Sequence, residues 1–517
     1  MTNTAWDTIE VGTGPLAFGD VVSVARHGAQ VALTAEALKA IAEARAHVEE
    51  LAARPLPAYG ISTGFGALAT RHIHEELRAR LQENIVRSHA AGSGPEVERE
   101  VVRAMMLLRL STLATGRTGV RPVTAETLAA LLNAGITPIV HEYGSLGCSG
   151  DLAPLSHVAL ALIGEGEVHD AEGTKRPAAE ALATAGIQPL TLVAKEGLAL
   201  LNGTDGMLGM LVLAIEDLRG LLRAADVGAA MSVEAQLGTD RVFAADLQEL
   251  RPHPGQAASA ANLRALLEDS AIMESHRGPD CTRVQDAYSL RCAPQVHGAA
   301  RDTLEHASLV ASRELASAVD NPVVLPDGRV ESNGNFHGAP IAYVLDFLAI
   351  PVADVASMAE RRTDRMLDVA RSHGLPAFLA DDPGVDSGYM IAQYTQAAIV
   401  SELKRLANPA SVDSIPSSAM QEDHVSMGWG GARKLRRAVD GLTRVVAIEI
   451  MTAARALDLR APLRPGPATA AVVAALRTGV APPGPDRYVA PEITAAVDLV
   501  RDGSLVAAAE SVVGSLS

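Results

Sequence analysis

Apolar side chains recur at three- and four-residue steps over long stretches of the second half of the chain. The clearest stretch runs from Ala432 to Leu457, where one face of a helix is apolar. That face consists of Leu435, Val439, Leu442, Val446 and Ile450. The same spacing predicts long helices over 296–319, 342–366 and 390–406, separated by loops rich in Gly, Pro, Asn and Ser. Helices of this length indicate a bundle.

The first 200 residues differ, because their periodic segments are shorter and are broken by Gly-rich loops at 59–66 and 143–150. We therefore predict a mainly α fold with a long central helix bundle and a smaller N-terminal region that carries Gly-rich active-site loops. The predicted segments are 1–200, a bundle over 201–460 and a C-terminal cap over 461–517.

Composition supports a helical globular protein. Of 517 residues, 48% are hydrophobic but only 3% are aromatic, and strands favour aromatic and β-branched side chains. The formal net charge of -17 would repel a polyanion, so we expect no nucleic-acid partner.

Several features predict a cytoplasmic protein without a membrane segment. The first seven residues have neither the basic start nor the apolar stretch of a signal peptide. The most apolar run, 207–215, ends at Glu216, short of the roughly 20 residues that span a bilayer. Three cysteines are too few for a disulfide framework or a zinc site. His72-Ile73-His74 is too weak a pattern to indicate a metal site. We expect a reducing compartment and no metal.

Two motifs suggest chemistry that their context argues against. Residues 64–69 match a dinucleotide fingerprint, but the Pro-containing segment 55–60 precedes them where a buried strand should lie. A tight loop that needs glycine explains them better. Ser149 lacks the flanking glycine pattern of a hydrolase elbow, so a serine hydrolase is a weak alternative. Asp151 can cap a helix that continues to Leu162, with Pro154 in its first turn.

The segment Gly144-Ser145-Leu146-Gly147-Cys148-Ser149-Gly150-Asp151-Leu152-Ala153-Pro154-Leu155 resembles the signature of the aromatic amino acid ammonia-lyases. The resemblance implies that Cys148-Ser149-Gly150 cyclises and loses two waters, giving 4-methylidene-imidazol-5-one without any external cofactor. Gly150 has no Cβ to hinder closure, and Ser149 supplies the hydroxyl that leaves. Most family members carry Ala in place of Cys148. That position contributes only its carbonyl and Cα, so closure should survive.

Five further blocks resemble the family, in family order, across nearly the whole chain. They are Tyr59 to Gly66, Leu201 to Thr204, Gln285 to Arg291, Gly334 to Gly338 and Gln421 to Met427. Two small departures are Met420, where many histidine-acting relatives have a polar residue, and Ala287, where Pro is common.

The resemblance implies a role for each candidate residue. Tyr59, Tyr288 and Glu422 are the expected catalytic residues. The expected substrate-binding residues are His89, Asn202, Gln285, Arg291 and Phe336. Ser88-His89 resembles the pair found in members that act on histidine, which implies L-histidine as substrate and urocanate and ammonium as products. A homotetramer with shared active sites is also implied.

Other functions stay open on the sequence alone. The nearest is a tyrosine or phenylalanine ammonia-lyase, or an aminomutase, with the same fold and prosthetic group. An inactive helical scaffold is a more distant one.

Overall fold

The computed structural model describes residues 8–53, 59–64, 66–68, 70–278, 281 and 284–517. The protein is 59% helix and 6% strand, which confirms the mainly α prediction. The α-helices of the first 201 residues are Phe18–His27, Ala35–Ala53, Glu75–His89, Arg99–Ala114, Pro122–Asn133, Leu152–Leu162, Ala178–Thr184 and Glu196–Leu201. Those that follow are Asp205–Ala235, Ala245–Glu249, Pro254–Leu266, Ala271–Glu274, Tyr288–Arg291, Ala293–Leu315, Ala339–Leu367, Met390–Leu406, Gly428–Asp458, Pro467–Leu476, Ala490–Arg501 and Ser504–Val513.

The strands are short and form four small sheets. One parallel pair joins Ile9–Val11 to Val31–Leu33. The antiparallel sheets comprise Ser93–Glu96 with His141–Tyr143, Thr137–Pro138 with Glu167–His169 and Lys175–Pro177, and Val323–Val324 with Val330–Glu331.

The helices predicted from periodicity are present. Met390–Leu406 has the predicted bounds, and Gly428–Asp458 contains the predicted stretch 432–457. Ala339–Leu367 is a few residues longer than predicted, and Ala293–Leu315 begins and ends slightly earlier. Periodicity identifies the buried face of a helix, whereas its ends depend on local capping.

The described chain divides into two compact units, each made of separate segments. Unit 1 comprises 1–213, 308–346 and 409–433, and unit 2 comprises 214–307, 347–408 and 434–517. This grouping differs from the consecutive segments 1–200, 201–460 and 461–517, because the residue ranges of four long helices extend across the division.

In unit 1, the core surrounds the helix Arg99–Ala114, in which every residue from Val101 to Ala114 is buried. A helix buried on all sides is a core helix. Three shorter helices, Glu75–His89, Leu152–Leu162 and Glu196–Leu201, pack against one another. Every strand described lies in this unit.

Among its described residues, unit 2 contains helices and connecting loops but no strand. Its core contains a fully buried ion pair, in which Arg362 Nη2 lies 2.9 Å from Glu449 Oε2 and Ser232 Oγ donates to Glu449 Oε1 at 2.8 Å. A buried pair of this kind needs such additional hydrogen bonds to offset the loss of water.

Two stretches, Glu196–Ala235 and Ala339–Leu367, are long and apolar enough to cross a membrane by length and composition. The most apolar window of the first is completely buried in the protein, and 61% of that of the second is buried. The apolar run 207–215 was expected to end at Glu216, but it belongs to a helix that continues well beyond that residue. Glu216 and Asp217 lie within this helix, Asp205–Ala235, and Asp217 Oδ2 is 2.9 Å from Arg436 Nη1.

Candidate active site

Three packed helices of unit 1 place candidate residues at their ends. His89 is the last residue of Glu75–His89, and Asn202 directly follows Glu196–Leu201. Cys148-Ser149-Gly150 lies just before Leu152–Leu162, the helix predicted to follow it. Because these helices contact one another, residues far apart in sequence share one region.

Two other segments hold the tripeptide loop. The Gly147 carbonyl accepts hydrogen bonds from Ser426 Oγ at 2.6 Å and from the Gly338 N–H at 2.9 Å. The Met427 N–H donates to the Leu146 carbonyl at 2.9 Å. These bonds fix the segments that carry Phe336 and Glu422 beside the loop.

Gly150 occupies a position that no other residue could take without strain. Its φ is +79°, and an added Cβ would lie 2.3 Å from the Gly203 carbonyl oxygen. The neighbouring Asp151 N–H donates to that same oxygen at 2.7 Å. The backbone around the tripeptide is therefore in direct contact with the turn after Asn202.

The prediction that Asp151 caps its own helix is wrong. Asp151 is the N-cap residue of Leu152–Leu162 by position, but its side chain makes no capping bond there. Its Oδ2 accepts from the N–H groups of Gly206 and Met207, each at 2.9 Å, in the first turn of Asp205–Ala235. Ser145 Oγ donates to Oδ1 at 2.9 Å. Complete burial raises the pKa of Asp151 to about 7, although these hydrogen bonds act in the opposite direction.

Glu422 is the centre of a polar cluster in unit 1. Its Oε2 accepts hydrogen bonds from Cys148 Sγ at 3.2 Å and from Ser417 Oγ at 3.0 Å. Its charge also acts on His89 and Tyr59. A carboxylate thus lies close to the tripeptide and to two candidate proton-transfer groups.

The Tyr59 hydroxyl is half-buried, and its surroundings oppose ionisation. Burial raises the pKa of Tyr59, and the charges of Glu422 and Asp320 raise it further. The Gly66 N–H donates to the hydroxyl at 3.4 Å, which favours the phenolate and opposes that shift.

His89 is held as a neutral imidazole. Burial lowers its pKa, while the Ile85 carbonyl and the charge of Glu422 oppose the change. Its Nδ1 lies 3.1 Å from Ser88 Oγ.

Asn202 presents one unused polar atom. Its Nδ2 donates to the Asn321 carbonyl at 3.1 Å, whereas its buried Oδ1 has no hydrogen-bond partner among the described residues. A buried acceptor without a partner is costly, so it indicates a missing ligand or prosthetic atom. Phe336 is half-buried, two residues before the Gly338 N–H that contacts the tripeptide loop.

The turn before Glu422 is strained. Ser418, Ala419 and Met420 have φ values of 50°, 52° and 69°, a conformation that L residues adopt at a cost. The Met420 side chain is 66% exposed.

The other three candidates belong to unit 2. Gln285 is exposed and Tyr288 is 70% exposed. The Arg291 guanidinium lies 4.7 Å from the centroid of the Tyr288 ring, a cation–π contact, and its Nε is buried without a described hydrogen-bond partner. The structure thus gathers Tyr59, His89, Cys148-Ser149-Gly150, Asn202, Phe336 and Glu422 in unit 1 and Gln285, Tyr288 and Arg291 in unit 2.

Sequence reasoning missed the residues that orient this site. Ser417 and Asn321 hydrogen-bond Glu422 and Asn202, and a buried pair joins Lys195 Nζ to Asp320 Oδ2 at 2.6 Å. Asn321-Pro322 is a turn signal in the sequence, but nothing there relates it to Asn202. Among the residues described, no group of three or more His, Cys, Asp or Glu side chains could hold a metal ion.

The fold is helical, and its Cys148-Ser149-Gly150 turn, which is constrained by Gly150, contacts Glu422. These features define a class of enzyme with a Cys-Ser-Gly turn at its site, and comparison with known proteins identifies that class. Residues 16–478 match the model of the aromatic amino acid lyase family. The chain belongs to this family, which confirms the resemblance seen in the sequence.

Individual relatives cover nearly the whole chain. Histidine ammonia-lyase of Streptomyces avermitilis is 68% identical over 99% of this chain and 100% of its own length. The Streptomyces griseus protein of the same name is also 68% identical, with the same coverage. Among solved structures, histidine ammonia-lyase from Trypanosoma cruzi has a TM-score of 0.90 at 38% identity, covering 98% of this chain and 95% of that one. Tyrosine aminomutase from Streptomyces globisporus has a TM-score of 0.92 at 39% identity, covering 98% and 99%.

Proposed function

We propose that this enzyme removes ammonia from L-histidine without oxidation, giving urocanate and ammonium. The observation that carries the proposal is the cluster in unit 1, where Glu422 contacts the tripeptide and acts electrostatically on His89 and Tyr59. The 68% identical relatives named histidine ammonia-lyase support the same reaction. This is a carbon–nitrogen lyase activity.

The tripeptide fits conversion to 4-methylidene-imidazol-5-one. Gly150 lies where a Cβ would collide with the Gly203 backbone, and the unpartnered Asn202 Oδ1 is available to a polar atom of the ring or of the substrate. Once formed, this group supplies an electrophile that no standard side chain provides and that turns the amine into a leaving group. Phe336 would pack against it.

Tyr59 is the proposed base for the β-proton of the substrate. Its raised pKa means that the hydroxyl is neutral at pH 7, so proton removal needs the phenolate that the Gly66 N–H stabilises. Glu422 and His89 would each bind one ring nitrogen of the imidazole. A phenyl ring would offer these half-buried groups no hydrogen-bond partner, which costs at most about 1 to 3 kcal/mol for each.

Arg291 would bind the substrate carboxylate through its two-pronged guanidinium, beside Tyr288 and Gln285. We further propose a homotetramer in which these unit 2 residues complete a site on another subunit. Their exposure supports this, as do apolar side chains exposed along long helices. Those side chains are Tyr343, Phe347, Ile350, Ile391 and Tyr394.

We place the enzyme in the cytoplasm. Cys148, Cys281 and Cys292 are all free thiols in the structure, as is usual in a reducing compartment.

The direct test is ultraviolet absorbance of the purified protein with L-histidine, L-tyrosine and L-phenylalanine in parallel. Urocanate alone supports the proposal, whereas coumarate or cinnamate, or a β-amino acid found by chromatography of the products, would assign the site to another activity of the family. Mass spectrometry of the peptide that spans Ser149 should show the loss of two waters, and an unmodified peptide in an active preparation would contradict the proposed prosthetic group.

A further inference from the structure

The side chain of Cys148 contacts Glu422. Ring closure would use only the carbonyl group of Cys148, so its thiol has no part in forming the prosthetic group. That thiol is buried, with 6% of the residue exposed, and Sγ lies 3.2 Å from Glu422 Oε2. The first residue of the tripeptide therefore makes a side-chain contact that an Ala cannot make.

We propose that Cys148 is a positioning residue for Glu422, and that it thereby favours ligands with an imidazole ring; this inference rests on the proposed function. The thiol donates its hydrogen to one oxygen of the carboxylate and so fixes the direction of the other.

The hydrogen bonds of Glu422 are asymmetric. Both described side-chain donors, Cys148 Sγ and Ser417 Oγ, bind Oε2, and Oε1 accepts no hydrogen bond from a described residue. A carboxylate held at one oxygen presents the other to a ligand. An imidazole N–H fits such an acceptor, whereas a phenyl ring has nothing to donate.

The two donors are not equivalent. Ser417 pairs with Glu422 through the backbone, with Ser417 N–H donating to the Glu422 carbonyl at 2.8 Å. Ser417 therefore moves with the loop of Glu422. Cys148 belongs to the tripeptide loop, so its bond fixes the carboxylate relative to the reacting group.

The thiol remains a donor over the working range of pH. Burial, together with the charge of Glu422, raises the pKa of Cys148 to about 11. A hydrogen bond to an ionised acceptor is stronger than one between neutral groups.

Two variants and two ligands test the proposal. Cys148→Ala should keep the loss of two waters, because Ala supplies the atoms that the ring needs. Its KM for L-histidine should rise about fivefold to tenfold while kcat changes by less than about twofold, since a lost ground-state contact affects binding. Inhibition by L-phenylalanine, which lacks ring nitrogens, should be unchanged. Cys148→Ser keeps a donor and should restore KM to within about twofold of the native value.

A spectroscopic measurement covers the case in which Cys148→Ala fails to fold or mature. The infrared S–H stretching band of Cys148 should move to higher wavenumber in Glu422→Gln, because a neutral amide is a weaker acceptor, while the bands of Cys281 and Cys292 stay in place.

The outcomes separate the two proposals. Native protein that forms no urocanate overturns both. If the native protein is active, any of three results overturns the role of Cys148 alone. The first is an unchanged KM in Cys148→Ala, and the second is an equal loss of binding for L-phenylalanine and L-histidine in that variant. The third is an S–H band that does not respond to Glu422→Gln.

Discussion

At the residue scale, the proposed chemistry depends on the Tyr59 phenol, whose pKa is raised by burial. The Tyr59 hydroxyl has one described donor, the Gly66 N–H, and lies within the field of Glu422. A base with a raised pKa is scarce in its ionised form but strong once formed. The contribution of Tyr59 should therefore appear in kcat and not in KM.

Tyr59→Phe should reduce kcat by about a hundredfold or more, because general base catalysis contributes at least that much, and should leave KM within a few-fold. The measurement is steady-state urocanate formation by the native and variant enzymes. The loss of two waters at the tripeptide should persist in the variant as a control. A kcat within a few-fold of native would assign proton removal to another residue.

Single residues also show what the sequence could and could not predict. Glu422 and Tyr59 were recognised because each lies in a block that resembles the family. Ser417 and Asn321 were missed, since periodicity reports which face of a helix is buried and says nothing about contacts between distant loops. The reassignment of Asp151 has the same origin, because its true partner is a helix more than fifty residues further along the chain.

At the scale of elements, the helix Asp205–Ala235 begins on a side chain from a different segment. Asp151 Oδ2 accepts from two N–H groups that the first turn of a helix leaves without intrahelical partners. A carboxylate there is also favoured by the positive end of the helix dipole. This contact joins the tripeptide segment to a long core helix.

Asp151→Ala should lower the free energy of unfolding by about 1 to 2 kcal/mol or more, because two buried N–H groups lose their acceptor. Asp151→Asn is the matched control, since its amide keeps one acceptor oxygen and should lose less. Urea denaturation of both variants measures the difference. Equal losses would show that the capping bonds contribute little.

A second contact between elements predicts a response to acid. The Gly92 N–H donates to His157 Nε2 at 3.2 Å, which joins the helix Leu152–Leu162 to the segment after His89. Burial lowers the pKa of His157 to about 4 from an ordinary 6.5. The unfolded chain thus binds the proton first, and the stability from neutral His157 is lost as pH falls from 6.5 to about 4.

His157→Gln should flatten this part of the pH dependence, because an amide oxygen can accept the same bond without titrating. Urea denaturation of native and variant protein at several pH values between 7 and 4 provides the comparison. Parallel curves for the two proteins would mean that His157 does not contribute to acid sensitivity.

Element bounds were predicted well where the pattern was long. Met390–Leu406 agrees with its prediction at both ends, since a half-buried helix alternates apolar and polar faces along its length. The strands were not predicted, because most have only two or three residues, too few for an alternating pattern. Their pairing depends on backbone contacts, which composition does not reveal.

At the scale of the whole molecule, the candidate residues fall in two compact units of the chain. Tyr59 lies in unit 1 and Arg291 in unit 2. The proposed tetramer would bring the unit 2 residues of one subunit to the unit 1 residues of another. If sites are shared in this way, two variants with different defects can restore activity to each other, which is not possible when each site lies within one chain.

Two inactive variants should complement each other. Tyr59→Phe and Arg291→Ala would each be nearly inactive alone, but mixed assemblies made by coexpression would contain some sites with both native residues. Random mixing of subunits should restore about a quarter of native activity. Mixing the separately assembled variants is the control, and activity no higher than the parents after coexpression would mean that each site belongs to one chain.

For the proposed ring closure, the hydrogen bond from Ser426 to Gly147 implies an order of events during synthesis. The tripeptide leaves the ribosome long before residues 338 and 426, yet its loop is held by donors from both of those segments. A nascent chain lacks these donors, so ring closure should await an almost complete polypeptide. The reactive group would then arise only in a protein that has already folded around it, and incomplete chains would carry a harmless Cys-Ser-Gly.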